Sequence, residues 1–232
     1  MSLHGSLKML ERLERPSVAD TVFEELNRQI LMLVLPPGMK MSEADVAAAL
    51  GVSRQPVRDA FYRLSKLGFL TIRPQRATTV SLISERSVLQ ARFLRTAIEL
   101  ETVRAACDRL TTADMDALDA ILAEQAATLA PHDAERFHRL DDQFHREISE
   151  RAGHGHAWDI IRENKAHMDR VRYLSLSFAT ERAYAEHRTI LAALRQRDPE
   201  QATAALRQHL SRILDQIVQI RAAHGAYFAE EA

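Results

Sequence analysis

The chain has 232 residues, of which 46% are hydrophobic and 27% charged, with a formal net charge of −1. That composition excludes a disordered polyelectrolyte and fits one large folded domain or two small ones. No apolar run approaches the roughly 20 residues needed to cross a bilayer, no signal-peptide core opens the chain, and the lone cysteine, Cys107, excludes an intrachain disulfide, so a cytoplasmic protein with no membrane partner is expected.

The near-neutral total hides an asymmetry. Residues 1–83 carry 11 Lys/Arg against 8 Asp/Glu, residues 84–232 carry 20 against 24, and nine of the ten histidines follow Pro131. Two units are expected, residues 1–83 and residues 84–232. In the first, Ser17 reads as an N-cap, and Val18, Val22, Leu26 and Ile30 recur at helical spacing before Pro36-Pro37-Gly38. Ser42 caps a second helix, with Asp45 three residues on as in a capping box, and Gly51 supplies its left-handed stop. Ser53 opens a third helix with Val57, Ala60, Phe61 and Leu64 facing inward, and Gly68 ends it. Residues 69–73 and 78–82 then read as a hairpin around Pro74-Gln75-Arg76. Beyond Ser84 only helices are expected, over 85–110, 113–129, 133–151, 155–179, 181–196 and 199–224. Their breaks fall at Thr111-Thr112, Pro131, Gly153 with Gly155, Thr180 and Asp198-Pro199. The fold class is therefore mainly α: a winged helix-turn-helix of three helices plus a β-hairpin wing, followed by an all-helical bundle.

A helix, a three-residue turn, a second helix and a hairpin make the layout of a DNA-reading winged helix. Arg54, Arg58, Arg63, Lys66, Arg73 and Arg76 oppose a single acid, Asp59, across the stretch that would meet DNA. The first residues of a recognition helix reach base edges, which here singles out Ser53, Arg54, Gln55 and Arg58. Arg54 and Arg58 lie one turn apart, and an arginine fork suits guanine O6 and N7 or a phosphate. Arg73 and Arg76 on the wing would meet phosphates or the minor groove.

The segments Pro36-Pro37-Gly38, Leu50-Gly51-Val52-Ser53-Arg54-Gln55-Pro56-Val57-Arg58-Asp59-Ala60 and Leu67-Gly68-Phe69-Leu70 resemble the N-terminal domain of GntR-family transcription regulators. The resemblance implies that Arg54 and Arg58 contact an operator. Two departures stand out: Ala44 lies near a position where many relatives are basic, and Ala77 sits where the wing usually has glycine.

Asp141 and His145 are four apart on one expected helix and face one way, and His187 and His209 lie on two later helices. One carboxylate and three imidazoles suit Zn²⁺, Ni²⁺ or Mn²⁺ with a coordination position left over, although an Asp-x-x-x-His pair on a helix is also a common surface pair. Arg95-Thr-Ala-Ile-Glu99, Asp141-Asp-Gln-Phe-His145, Glu186-His187 and Gln208-His209-Leu210 resemble the FCD domain of the FadR branch of that family. The resemblance implies that Asp141, His145, His187 and His209 hold a divalent metal, beside a cavity for a small carboxylate effector. Arg95, Asn164 and Arg172 are the candidate effector contacts, with a salt bridge to Glu99 as the other reading of Arg95 and a surface role as the other reading of Asn164 and Arg172. His138, one turn before Asp141, is expected to be solvated, with support of the metal ligands as its other reading; His154, His156 and His167 are expected on a surface or loop, and Trp158, Phe144 and Cys107 in the core. The expected protein is a homodimeric, ligand-responsive repressor of double-stranded operator DNA and not an enzyme. A metal-dependent hydrolase and a regulator with a purely structural metal are the alternatives.

Overall fold

The computed structural model describes residues 16–73, 77–130 and 132–230. Local sequence explains where the helices start. Ser17 accepts from the Asp20 amide while the Asp20 carboxylate accepts from the Ser17 amide, and this capping box starts α1 (Val18–Leu31). Ser42 caps α2 (Glu43–Leu50), and Gly51 ends it at φ 65°, where a Cβ would be strained. α3 (Arg54–Lys66) follows after the turn. Three short strands, β1 (Lys40–Met41), β2 (Leu70–Thr71) and β3 (Thr78–Val80), form an antiparallel sheet in the order β1-β3-β2, with Lys40 opposite Thr79 and Leu70 opposite Val80. The hairpin is shorter than its pattern suggested. β1 escaped the sequence reading because two residues carry no alternation to detect.

The remaining helices are α4 (Glu85–Arg109), α5 (Thr112–Ala126), α6 (Ala134–Arg151), α7 (Gly155–Asn164), α8 (Ala166–Arg195) and α9 (Pro199–Ala223). One expectation fails here. The break placed at Thr180 does not exist; α8 runs straight through it, and the chain breaks at Lys165 instead. Thr180 costs a helix only a fraction of a kcal/mol, about 0.7 at most. Lys165, by contrast, is buried, with its ammonium 2.5 Å from both Asp142 and Asp169 and 5.7 Å from the Trp158 ring. The break coincides with this buried charge, which would cost several kcal/mol if it were left unpaired (about 3–5).

Phe23, Leu26, Ile30, Val57, Phe61 and Leu64 centre the core of the N-terminal unit. Leu118, Leu122, Phe144, Ile190, Leu194 and Leu206 centre that of the helical unit. A third cluster joins Ile83 and Val88 to Met168, Val171, Ile217 and Phe228.

The two units are not joined by a loose tether. Ile83 bridges to the C-terminal strand-like segment at Phe228, its amide donating to the Tyr227 carbonyl at 2.8 Å. Ala166, the first residue of α8, is part of the N-terminal core. One turn on, the wholly buried Arg170 donates to the Ser81 carbonyl at 2.5 Å, and its guanidinium lies 5.7 Å from the Phe69 ring centroid. His167, expected on a surface or loop, is half-buried in this contact and accepts from the Ser84 amide at 3.2 Å. At a rise of about 1.5 Å per residue, α8 is a rod of roughly 45 Å.

Candidate functional site

Two sets of side chains stand out, one in the N-terminal unit and one in the helical unit. In the N-terminal unit, the helix-turn-helix leaves Ser53, Arg54, Gln55 and Arg58 exposed at the start of α3. Ser53 occupies the N-cap position, yet its hydroxyl makes no capping bond. Gln55 donates to Asp59 at 3.0 Å. Arg58 is bound edge-on by Glu43, the first residue of α2: its Nη2 lies 3.1 Å from Oε2 and its Nε 3.2 and 3.3 Å from the two carboxylate oxygens. Arg73 is exposed just past β2, whereas Arg76 lies outside the described residues.

The second set is buried in the helical unit. α6 carries Asp141 and His145, α8 carries His187 and α9 carries His209, and one ligand atom from each lies within 4.8 Å of the other three. His145 Nε2 is 3.3 Å from His209 Nε2, and His187 Nε2 is 3.4 Å from Asp141 Oδ1. The other ring nitrogens are all engaged. His145 Nδ1 donates to Glu99 at 2.6 Å, His187 Nδ1 to the Gln125 carbonyl oxygen at 2.8 Å, and His209 Nδ1 to Glu186 at 3.1 Å. Carboxylates and a carbonyl oxygen can only accept, so each Nδ1 carries a proton, and in the neutral imidazole each Nε2 then presents a lone pair inward.

Three inward lone pairs and a carboxylate call for a cation. His187 Nε2 is buried and has no hydrogen-bond partner. Two nitrogens each about 2.0–2.1 Å from one zinc ion at a tetrahedral angle lie about 3.3–3.4 Å apart, which matches the His145–His209 separation. The residues therefore fit a divalent ion, and the Nδ1 partners are of the kind that orient metal-binding imidazoles. Electrostatics agree. Burial, joined by the neighbouring His209, holds the His187 imidazole well below its ordinary value. Burial also lowers His145 against the pull of Glu99. Burial raises the Asp141 carboxyl, but Arg172 and the three imidazoles overcome it and hold the group well below the usual range. Glu99 comes down to about 2, because Arg95 and His145 outweigh its burial.

Asp141 and His209 reach the wall of a cavity of about 180 Å³, which Arg95, Arg172, Arg182 and Arg212 also line. Arg95 is buried and ion-paired with Glu99, and its side chain also lines the cavity, with Nη2 lacking a hydrogen-bond partner. Arg172 pairs with Asp141 and lies 3.0 Å from Asp142 and 2.8 Å from Asp169. Asn164 is not at this cavity. It is exposed at the end of α7, donates to the Ile160 carbonyl at 2.7 Å, and lines a separate hollow with Lys66 and Leu89. The misplacement follows from the Lys165 break, since on one continuous helix Asn164 and Arg172 would share a face.

His138 also departs from expectation. It is buried, its Nε2 lacks a partner, and burial lowers its pKa. With Asp142 and Asp169 it forms a second acidic cluster, but Lys165 and Arg172 already neutralise both carboxylates. Trp158 and Cys107 are core as expected. Phe144 is core too, and it stacks on His187 with centroids 4.8 Å apart. Sequence reasoning missed Gln125 and Glu186 as supports for His187 and His209, because nothing in their spacing reveals a partner on another helix.

Residues 18–80 match the family model described as bacterial regulatory proteins, gntR family, and residues 90–212 match the FCD domain. The HTH-type transcriptional repressor RspR of Escherichia coli K12 is 36% identical over 92% of this chain and 95% of its own. A probable D-xylose utilization operon transcriptional repressor of Paenarthrobacter nicotinovorans is 30% identical over 88% of this chain and 90% of its own. The solved structure of E. coli McbR/YncC superposes with a TM-score of 0.76 at 23% identity, covering 88% of this chain and 99% of that one, and shows the shared fold. No helix among the described residues is long and apolar enough to cross a membrane.

Proposed function

The chain belongs to the GntR family of bacterial regulatory proteins and is a DNA-binding transcriptional regulator, not an enzyme; from that premise we propose that it is a repressor whose operator affinity is set by a small carboxylate bound at a metal site in its FCD domain. Asp141, His145, His187 and His209 hold the ion, which is zinc, nickel or manganese, and a bound divalent ion supplies a Lewis-acidic point for a carboxylate oxygen. Arg95 and Arg172 receive the charge of the same ligand. Ser53, Arg54, Gln55 and Arg58, with Arg73 and Arg76 of the wing, meet the operator. The functional units are residues 1–83 and 84–232, a division supported by family matches on either side of it. The protein acts in the cytoplasm as a homodimer, whose two winged helices enter successive major grooves.

One observation carries this reading. The histidine cluster meets an arginine-lined cavity through Asp141 and His209, and His187 shares helix α8 with Ala166, which is packed into the DNA-binding core. A ligand that moves α8 therefore acts on both ends of one rod. It changes DNA affinity only if it prefers one arrangement of the two ends.

The test is a melting-temperature screen of mono-, di- and hydroxycarboxylates on metal-loaded and chelator-stripped protein, with hits carried into DNA-binding titrations. An acid that stabilises only the metal-loaded form and changes DNA affinity supports the sensor. A large loss of stability on stripping, with no acid active in either form, would leave the metal a structural staple.

A further inference from the structure

We propose that Glu43 is a positioning residue for base recognition: it grips Arg58 by one edge of the guanidinium, so that this arginine reads a base rather than clamping a phosphate. The inference rests on the assignment of Arg58 to the operator interface and adds a residue and a division of labour to it.

The geometry is specific. A guanidinium offers five N–H donors in one plane. Glu43 takes the edge formed by Nε and Nη2, with contacts of 3.1 to 3.3 Å. The opposite edge, built from Nη1 and the second Nη2 hydrogen, stays available. Two parallel donors of that kind match guanine O6 and N7 in the major groove.

The pair contributes little to the fold itself. Its side chains are 61% and 33% exposed, and exposed ion pairs add little stability. Its effect falls on what Arg58 can do. A carboxylate beside the guanidinium offsets its charge and repels phosphate oxygens, which weakens Arg58 as a backbone clamp. The same carboxylate restrains a long side chain before DNA arrives, so less freedom is lost on docking. Arg54, one turn earlier on α3, differs: among the described residues no carboxylate forms an ion pair with it. The acid that α3 itself supplies beside these residues, Asp59, bonds Gln55. Two arginines on one face of the recognition helix are thus unlike electrostatically, one paired for base reading and the other with its charge intact for the backbone.

The full-length protein and its Glu43→Gln, Glu43→Asp and Arg58→Ala variants would each select sites from a randomised duplex library. Each would also be titrated against one fixed random-sequence duplex over a range of salt. Arg58→Ala should flatten the preference at one position of each half-site. Glu43→Gln should weaken preference at that same position by about fivefold, the low end of one bidentate contact, and should bind the random duplex more tightly, since a negative charge is gone. Glu43→Asp keeps the charge but is too short to hold the fork. It should flatten the same position while leaving random-duplex affinity and salt slope as in wild type. Melting temperatures close to wild type confirm that the variants are folded.

If Glu43→Gln and Glu43→Asp both keep the wild-type preference while Arg58→Ala loses it, Arg58 reads a base unaided and the positioning role is overturned. A uniform gain in affinity for all DNA in Glu43→Gln, with preferences intact, would make Glu43 an electrostatic brake instead. If Arg58→Ala changes no preference, the assignment of Arg58 itself fails.

Discussion

Zinc added to chelator-treated protein should raise its melting temperature, and replacing His187 with alanine should abolish most of that rise. At free zinc 100-fold above its dissociation constant, binding to the folded state alone contributes about 2.7 kcal/mol. For a chain of this length each kcal/mol moves the midpoint by about 2–4 °C, so the expected rise is about 5–11 °C. His187 is wholly buried, and its Nε2 is one of the four converging ligand atoms. Even partners that merely orient a ligand are worth about 10–100-fold in metal affinity, so losing a ligand should cost at least about 100-fold. At the same zinc concentration the stabilisation then drops to about 0.4 kcal/mol, a rise of about 1 °C. The absolute midpoint of the variant is a poor guide, because removing a ring stacked on Phe144 leaves a cavity that destabilises the protein with or without metal. The informative quantity is the difference between zinc-loaded and stripped protein, read by differential scanning calorimetry for both chains. A full-sized zinc shift in His187→Ala, or no shift in wild type, would refute the assigned ligand set.

Two further outcomes follow from the same geometry. Glu186→Gln removes the charged acceptor that receives His209 Nδ1 at 3.1 Å and Arg212 at 2.7 Å. Zinc affinity measured by chelator competition should fall by about tenfold or more, and an unchanged affinity would show that Glu186 does not orient His209. His167 tests the contact between the units, where burial and then the Arg170 charge push its imidazole down to about 4. An unfolded histidine titrates near about 6.5, so below that value the unfolded chain takes up a proton that folded His167 refuses, and stability falls as pH drops toward about 4. Urea midpoints between about pH 7 and about pH 4.5 should decline less steeply in His167→Gln than in wild type; equal slopes would show that His167 contributes nothing to the acid sensitivity.

What could be read from the sequence were features whose cause is local. Ser17 with Asp20, Ser42 with Asp45, Gly51 and Asp198-Pro199 mark helix ends because the groups that satisfy a helix terminus lie within a few residues of it. The helix-turn-helix, the exposed start of α3 and the shared face of Asp141 and His145 follow from periodicity alone. The motif resemblance went further and singled out His187 and His209 from ten histidines, a choice that spacing could not make.

Tertiary structure decided everything that depends on partners distant in the chain. At the break, which falls at Lys165 rather than Thr180, the buried ammonium meets Asp142, which lies 23 residues away. That break removed Asn164 from the cavity wall. The burial of His138 and the pairing of β1 with β3 are likewise set by other elements. So is the tautomer of each inward-facing imidazole of the histidine cluster, which depends on Glu99, Gln125 and Glu186 from three other places in the chain. The grip of Glu43 on Arg58 spans 15 residues and the helix turn. A buried charge or lone pair must find its complement wherever the fold brings one, and that requirement, which no local pattern encodes, aligns α8 between the DNA-reading core and the histidine cluster.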